Sequence, residues 1–274
     1  AVILIMNYEL IPFVTLIANL LKKPNNILVR NMNYISKEME AKQTISGRFF
    51  LRYLLRFTLR FCDVVIHQCE EMRRDFQSSY PYYGGRSVVI SNVLTLAHVK
   101  SPSISLKEPY MLCVGRLVPQ KNIRLAIDVL KAYREKYGSF KLVVIGDGED
   151  IDLLNSYAES LDLSEYVEFL GFRENVSSYY QGAYVTLLTS NYEGFPNVLI
   201  ESINCGTPVV AHDCKSGPAE LIQDGVNGFL VGFQSISEFV EAIKKVEDIK
   251  TGEMKKSLEN YLPENVYHQY SKIL

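Results

Sequence analysis

The stretch that decides the fold reads Tyr110-Met-Leu-Cys-Val-Gly-Arg-Leu-Val-Pro-Gln-Lys-Asn122. Its first five residues are apolar or aromatic, a glycine follows at once, and a helical pattern begins at about residue 122. This order predicts a strand at 110–114, a turn and a helix at 122–137. A second apolar run predicts a strand at 141–145. Strands that are apolar throughout are typical of parallel sheets covered on both faces.

The alternation of strand and helix continues to about residue 250. Further strands are predicted at 167–170, 184–188, 208–211 and 228–231. Helices are predicted between and after them at 150–161, 175–181, 196–204, 218–222 and 237–246. Such regular alternation predicts an α/β fold with a doubly wound parallel sheet. In these sheets, ligands bind beyond the carboxyl ends of the strands.

A second, smaller sheet is predicted upstream. Its strands are expected at 2–6, 27–29, 64–66 and 87–90, with a helix at 10–21. We expect a partial first domain at 1–97, a linker at 98–109, a second domain at 110–250 and a tail helix at 251–274. The chain opens on Ala1, directly in a predicted strand, so we expect an N-terminally truncated first domain with apolar surface or sheet edges exposed.

Composition narrows the class of protein. The chain has 274 residues, is 47% apolar, and balances 29 Lys and Arg against 31 Asp and Glu, which argues against a nucleic-acid partner. The five cysteines are scattered and odd in number, which favours reduced core thiols in a cytoplasmic protein. No cluster of cysteine and histidine predicts a metal site.

Two carboxylates stand out in the run Glu193-Gly-Phe-Pro-Asn-Val-Leu-Ile-Glu201. Pro196 suits the first turn of a helix. The apolar residues that follow predict that Glu201 is largely buried, which is costly unless a ligand binds the carboxylate. We expect the carboxylates to stand roughly 10 Å apart, with free backbone N–H groups of the helix start between them. A nucleotide sugar has the length and the polar groups to fill that space.

Two cations lie on the loop after the first strand of the second domain. Arg116 and Lys121 are five residues apart, Gly115 allows a tight turn, and Asn122 is expected to cap the next helix. An arginine fork and a lysine ammonium are good partners for phosphate. Placed beside a departing diphosphate, they would stabilise the transition state more than the ground state.

Together these segments resemble the retaining glycosyltransferases of family four, which have the GT-B fold of two Rossmann-like domains. The resemblance rests on the Arg…Lys pair, on Gly146-Asp147-Gly148, on the E-x7-E element and on Ser216-Gly217-Pro218, in the order of that family. It is dense from Tyr110 to about Val231. It also implies that the tail helix at 251–274 crosses back to pack on the first domain. We interpret the Gly-Asp-Gly turn as shaping its loop.

The resemblance implies a metal-independent donor site for a nucleotide sugar, expected to be linked to UDP, with no cofactor. It gives catalytic roles to Glu193, Arg116 and Lys121. It gives donor-binding roles to Glu201, Gly115, Gly194, Phe195, Pro196, Asn197, Phe172 and Arg173. Sugar transfer with retention to a hydroxyl of a glycan or lipid-linked acceptor is the implied reaction.

The first domain departs from this family. The glycine-rich loop after its first strand is absent, and Arg30 and Asn31 stand where a histidine is often found. We therefore expect this chain alone to lack a complete acceptor site. The four histidines are interpreted as strand, linker or surface residues.

Arginine recurs every four residues at Arg48, Arg52, Arg56 and Arg60, with aromatic residues between. On a helix these side chains form one basic stripe. A basic amphipathic helix can bind an anionic membrane surface, which would place the protein peripherally on the cytoplasmic face. An ordinary surface helix with solvated arginines explains the pattern equally well.

Two alternatives to the transferase remain open. A nucleotide-sugar 2-epimerase can use the same architecture, but it needs acid and base groups facing the sugar. A non-catalytic subunit can keep the donor fold without turnover. The sequence does not identify the hexose, the acceptor or the linkage.

Overall fold

The computed structural model describes residues 2–21, 26–31, 36, 53–94, 108–233 and 235–274. Contacts divide the chain into two units. The first comprises Ala1–Val93, Glu193–Phe195 and Pro263–Leu274, and the second comprises Leu94–Tyr192 and Pro196–Leu262. The predicted linker at 98–109 lies outside the described residues except for its last two positions.

The first unit is built on a parallel sheet of four strands in the order β1-β2-β3-β4. These strands are β1 (Val2–Ile5), β2 (Asn26–Arg30), β3 (Val64–His67) and β4 (Arg86–Val89). Its helices include α1 (Ile11–Leu20) and α2 (Glu70–Ser79). A helical stretch at residues 53–58 leads into the 3-10 turn Leu59–Phe61 before β3.

Both faces of this sheet are covered, which explains why its strands do not alternate between apolar and polar residues. Val29 and Val65 pack on one face with Phe76 of α2. Leu28 and Ile66 point to the other face, where they pack with the C-terminal segment of the chain.

The first unit also exposes apolar side chains, as the sequence predicts. Val2 and Leu4 of β1 are about half exposed, and Phe13, Leu16 and Leu20 of α1 are more so. Among the described residues, no helix has the length and apolar character required to cross a membrane.

The second unit contains a parallel sheet of six strands in the order β10-β9-β8-β5-β6-β7. Its strands are β5 (Tyr110–Val114), β6 (Lys141–Ile145), β7 (Val167–Phe169), β8 (Val185–Leu188), β9 (Val209–His212) and β10 (Gly228–Val231). The helices of this unit are α3 (Ile123–Tyr137), α4 (Ile151–Ser160), α5 (Ser177–Gly182), α6 (Asn197–Cys205), α7 (Pro218–Leu221), α8 (Ile236–Lys245) and α9 (Thr251–Lys256). The predicted α/β class with two parallel sheets is confirmed.

The order of strands in the second sheet shows where the chain reverses direction. The chain enters at β5 and adds β6 and β7 on one side, then returns to add β8, β9 and β10 on the other. Met111 of β5 lies opposite Val185 of β8. The topological switch point is therefore between β5 and β8, and the loops that leave their carboxyl ends define the expected ligand crevice.

The tail contains two helices, whereas the sequence predicts one. Helix α9 belongs to the second unit, and helix α10 (Pro263–Ser271) belongs to the first. The 3-10 turn Glu259–Tyr261 and Leu262 separate them, and Pro263 starts the second helix, where its missing N–H is tolerated.

All five cysteines are free thiols, in agreement with the sequence prediction. Cys113 lies at the centre of the second sheet, where burial raises the pKa of its thiol to about 12. A thiol in such surroundings is an inert core residue.

Candidate functional site

The loop after β5 carries the predicted cations. The side chain of Arg116 is exposed, and that of Lys121 is half-buried. A Cβ added to Gly115 would lie 3.5 Å from Cε of Lys121, so the aliphatic part of the lysine lies over the glycine backbone. Gly115 therefore provides a flat surface beneath the lysine at the carboxyl end of the central strand.

The Gly-Asp-Gly turn after β6 shapes this loop, as interpreted from the sequence. A Cβ on Gly146 would lie 1.9 Å from the carbonyl oxygen of Gly115, and one on Gly148 would lie 2.1 Å from that of Leu117. Since real Cβ atoms cannot approach so closely, two glycines are required. The backbone N–H of Leu117 donates to the carbonyl of Asp147 at 2.9 Å, which holds the two loops together.

Hydrogen bonds join the loop after β5 to the loop after β8. The backbone N–H of Asn191 donates to the carbonyl of Gln120 at 2.8 Å, and its side-chain amide donates to the carbonyl of Pro119 at 2.9 Å. The side-chain amide of Gln120 donates to the carbonyl of Tyr192 at 2.9 Å. The hydroxyl of Thr189 donates to the carbonyl of Lys121 at 3.1 Å. These four bonds fix the two loops at the switch point.

Asn122 does not act as the predicted side-chain cap. It occupies the residue before α3, but its side chain makes no capping hydrogen bond. Its backbone is left-handed, with φ 46° and ψ 48°, a conformation that asparagine tolerates better than most residues. The loop therefore uses asparagine for its backbone conformation.

Helix α6 carries Glu201, and here the structure corrects the sequence prediction of a largely buried carboxylate. Glu201 is exposed, on the same side of the helix as Asn197, whereas Leu199, Ile200 and Ile203 are buried. The helix is amphipathic because residues four apart share a face. Pro196 directly precedes the helix, close to its expected position.

Although Glu201 is exposed, one side of its carboxyl group packs against protein. Desolvation raises the pKa of its carboxyl, and a hydrogen bond from the hydroxyl of Tyr180 acts in the opposite direction. That bond measures 3.1 Å to Oε2. Tyr180 was not predicted to take part in the site. Its sequence position, next to Tyr179 in a short helix, gives no signal of this contact.

Glu193, Gly194 and Phe195 are buried, and their contacts group them with the first unit. Glu193 is 4% exposed. The carbonyl of Gly194 accepts a weak hydrogen bond from the thiol of Cys69 at 3.9 Å. The two acids of the E-x7-E element thus differ in burial and in the unit to which they belong.

Phe172 and Arg173 lie on the loop after β7, two strands from β5, and both are exposed. The backbone N–H of Phe172 donates to Oδ2 of Asp147 at 3.1 Å. The Gly-Asp-Gly turn therefore ties this loop to the loop that carries Arg116.

The described histidines lie in strands or on the surface. His67 is fully buried in β3, its Nε2 pairs with the hydroxyl of Ser87 at 3.0 Å, and burial lowers its pKa to about 4. His212 is buried at the end of β9, with Nδ1 2.9 Å from the carbonyl oxygen of Ser190. His268 is exposed on α10, and His98 lies outside the described residues, as do Arg48 and Arg52 of the predicted basic stripe.

Comparison with known proteins identifies the family. The family model for glycosyl transferases group 1 matches residues 97–265, more than half of the chain. The amylovoran biosynthesis glycosyltransferase AmsD of Erwinia amylovora is 32% identical over 197 residues, covering 68% of this chain and 55% of its own length. A Campylobacter jejuni protein named as an N-acetylgalactosaminyltransferase acting on a diphospho-undecaprenol substrate is 30% identical over 203 residues, which are 73% of this chain and 55% of that protein.

A crystal structure of HepE from Anabaena in complex with UDP superposes with a TM-score of 0.81, at 19% identity, over 99% of this chain and 78% of that one. At this identity the match shows the GT-B fold alone. The chain spans about half the length of the two curated relatives. From its sequence match and its fold, the chain is a member of the group 1 glycosyl transferases.

Proposed function

We propose that the chain transfers a hexosyl or N-acetylhexosaminyl group from a UDP-linked donor to a hydroxyl of a glycan or lipid-linked acceptor. The acceptor oxygen forms a bond to the anomeric carbon as the bond from that carbon to the phosphate oxygen breaks. The electron pair stays on the diphosphate. The proton of the acceptor hydroxyl passes to a phosphate oxygen on the same face, so that configuration is retained.

One observation carries the proposal. Four hydrogen bonds join the loop with Arg116 and Lys121 to the loop that leads into the E-x7-E element, and these loops leave β5 and β8 at the switch point of the sheet. Ligands of open α/β sheets bind at this position. A fixed cationic loop there favours an anionic ligand such as a diphosphate.

The cations would act mainly in the transition state. Charge grows on the diphosphate as the sugar leaves, and Arg116 and Lys121 stabilise it without a metal ion. The aliphatic stem of Lys121 lies over Gly115, which supports the side chain that carries the ammonium group. Retained activity after treatment with a chelator tests the metal-independent mechanism.

The acids take different roles. Glu201 accepts hydrogen bonds from the ribose hydroxyls, and Tyr180 orients its carboxylate. Glu193 contacts the donor sugar near the reacting carbon. The N–H groups from Gly194 to Asn197 bind sugar and phosphate oxygens, and Phe172 and Arg173 contact the base.

The names of similar proteins support the choice of substrates. HepE is described in complex with UDP, and the Campylobacter relative is named for a polyprenyl diphosphate acceptor. A lipid-linked acceptor fits a peripheral location on the cytoplasmic face of a membrane, with the stripe from Arg48 to Arg60 as its contact.

The test removes both cations. We expect the double variant Arg116→Ala/Lys121→Ala to lose on the order of 10³-fold or more in kcat, since each residue stabilises transition-state charge. The control variant Lys245→Ala/Lys256→Ala removes the same charge from exposed positions in the same unit. Near-normal turnover in the first variant would overturn the assigned roles. Conversion of the donor to an epimer without acceptor would instead identify an isomerase, and UDP binding without turnover would identify a non-catalytic subunit.

A further inference from the structure

A pocket separate from the donor site lies in the first unit, at the amino ends of β3 and β4. Its volume is about 330 Å³. One wall comes from the 3-10 turn Leu59–Phe61 before β3, and the other comes from residues 78–83, which form the end of α2 and the start of the segment that leads to β4. Substrates of open α/β sheets bind at the opposite, carboxyl edge. This pocket therefore belongs to neither the donor site nor the carboxyl edge of its own sheet.

Two guanidinium groups line the pocket, those of Arg56 and Arg60. Arg56 lies over the ring of Tyr82, with Cζ 4.4 Å from the ring centroid. Arg60 lies over the ring of Phe57 at 3.8 Å, and its Nε donates to the carbonyl of Phe57 at 3.0 Å. Aromatic contacts of this kind hold both groups in place and leave most of their N–H donors available.

Among the described residues, no carboxylate forms an ion pair with either arginine. The ion pairs found there join other residues, and none includes Arg56 or Arg60. Ser78 and Ser79 add hydroxyl groups to the lining. Two positive charges and several hydroxyl donors around one small pocket favour an anion with several acceptor oxygens.

Apolar and aromatic residues line the same pocket. They include Pro81, Tyr80, Tyr82 and Tyr83, of which Tyr82 is 76% exposed. A bare phosphate ion would leave these rings unused, whereas the carbon part of an ester can contact them. We propose that this pocket binds a phosphate ester, with Arg56 and Arg60 as its cationic ligands.

The ester can come from two sources, an anionic lipid headgroup or a soluble sugar or polyol phosphate. Glycerol 3-phosphate, tested by calorimetry, probes the soluble source. Vesicles of phosphatidylglycerol and phosphatidylcholine, compared with vesicles of phosphatidylcholine alone in a flotation assay, probe the lipid source. Binding to the anionic vesicles alone assigns the site to a headgroup. Binding of glycerol 3-phosphate in calorimetry, together with release of the protein from the vesicles by glycerol 3-phosphate in the flotation assay, assigns it to the soluble ester.

The decisive variant is Arg56→Gln/Arg60→Gln, which keeps a polar side chain at each position and removes both charges. We expect its affinity for the bound probe to fall roughly tenfold or more, since charge-assisted hydrogen bonds are lost. The control Arg74→Gln/Arg124→Gln removes the same charge from two exposed positions, of which Arg124 also lies over a tyrosine ring, at 4.0 Å. The control should change affinity less than twofold, in the range of screened surface charge.

Equal losses in the two variants would overturn the proposal, because they would reflect net charge alone. Failure of the wild-type chain to bind either probe would overturn it as well. The result is independent of the transfer reaction, because donor binding at the second sheet is measured separately with UDP and should be equal in both variants.

Discussion

The hydroxyl of Tyr180 donates a hydrogen bond of 3.1 Å to Oε2 of Glu201, and this bond joins helix α5 to helix α6. Tyr180 is fully buried, whereas Glu201 is exposed. The phenol therefore supplies a fixed donor from the core to a carboxylate at the surface. Because a hydrogen-bond donor stabilises the ionised carboxylate, the phenol opposes the rise in the pKa of Glu201 that desolvation causes.

Substitution Tyr180→Phe removes this bond and keeps the buried ring. We expect the affinity for UDP to fall about fivefold, the value of one ordinary hydrogen bond of about 1 kcal/mol. The pKa of Glu201 should rise, so that the acidic limb of the profile of UDP affinity against pH moves to higher pH. Calorimetric titrations across the pH range measure both effects.

The neighbouring Tyr179→Phe variant serves as the control, because the hydroxyl that bonds Glu201 is that of Tyr180. A shift of the acidic limb in both variants, or in neither, would show that Tyr180 does not set the ionisation of Glu201.

Gly146→Ala should displace the cationic loop. The new Cβ would lie 1.9 Å from the carbonyl oxygen of Gly115, so the loop that carries Arg116 and Lys121 must shift. Small misplacements of positioning groups cost on the order of 10²-fold in rate, and we expect a loss of that order in kcat/KM. Steady-state assays with UDP-sugars measure it.

Gly225→Ala is its matched control. Gly225 also has a positive φ, 74°, but a Cβ there would meet no atom within 4 Å. It should cost about 1 kcal/mol of unfolding free energy from backbone strain and leave kcat/KM unchanged. Equal activity of the two variants would refute the role given to the Gly146 contact.

The unfolding free energy should depend on pH through His67. Desolvation, with a smaller effect of Arg73, lowers the pKa of this histidine from 6.5 to about 4. Between these values the unfolded chain binds a proton that the folded chain does not, so stability decreases as pH falls through this window. The full loss of unfolding free energy is about 3 kcal/mol, and it is complete below pH 4.

The variant His67→Gln removes this titration and keeps a polar side chain near Ser87. Urea denaturation at several pH values should give a shallower decrease for the variant between pH 6.5 and 4 than for the wild type. Parallel curves would mean that His67 is not neutral in the folded chain.

The sequence predicts most of this fold because its strands are short, apolar and bounded by turns. The bounds of β5, β6 and β10 agree with the predicted 110–114, 141–145 and 228–231. Strands β5 and β6 are buried almost throughout, so the apolar run ends where the strand ends.

The candidate site is harder to predict because its details depend on contacts between distant residues. The apolar run around Glu201 suggests burial, but one face of α6 remains open, and periodicity alone does not show which. Asn122 has the side chain of a cap but adopts a left-handed backbone under the constraint of its loop. The bond from Tyr180 crosses 21 positions, beyond the reach of local pattern.

Helix α10 is expected to stabilise the first unit through one buried cation. Arg30 is 7% exposed, donates to the hydroxyl of Tyr270 and to Oδ1 of Asn92 at 2.6 Å, and has a lowered pKa because of burial. Tyr270→Phe leaves the guanidinium with one acceptor fewer, at a cost of about 1–3 kcal/mol in unfolding free energy. The same change at Tyr267, 63% exposed on the same helix, should cost less than about 0.5 kcal/mol. Urea denaturation measures both, and equal values would show that the Arg30 contact does not stabilise the helix.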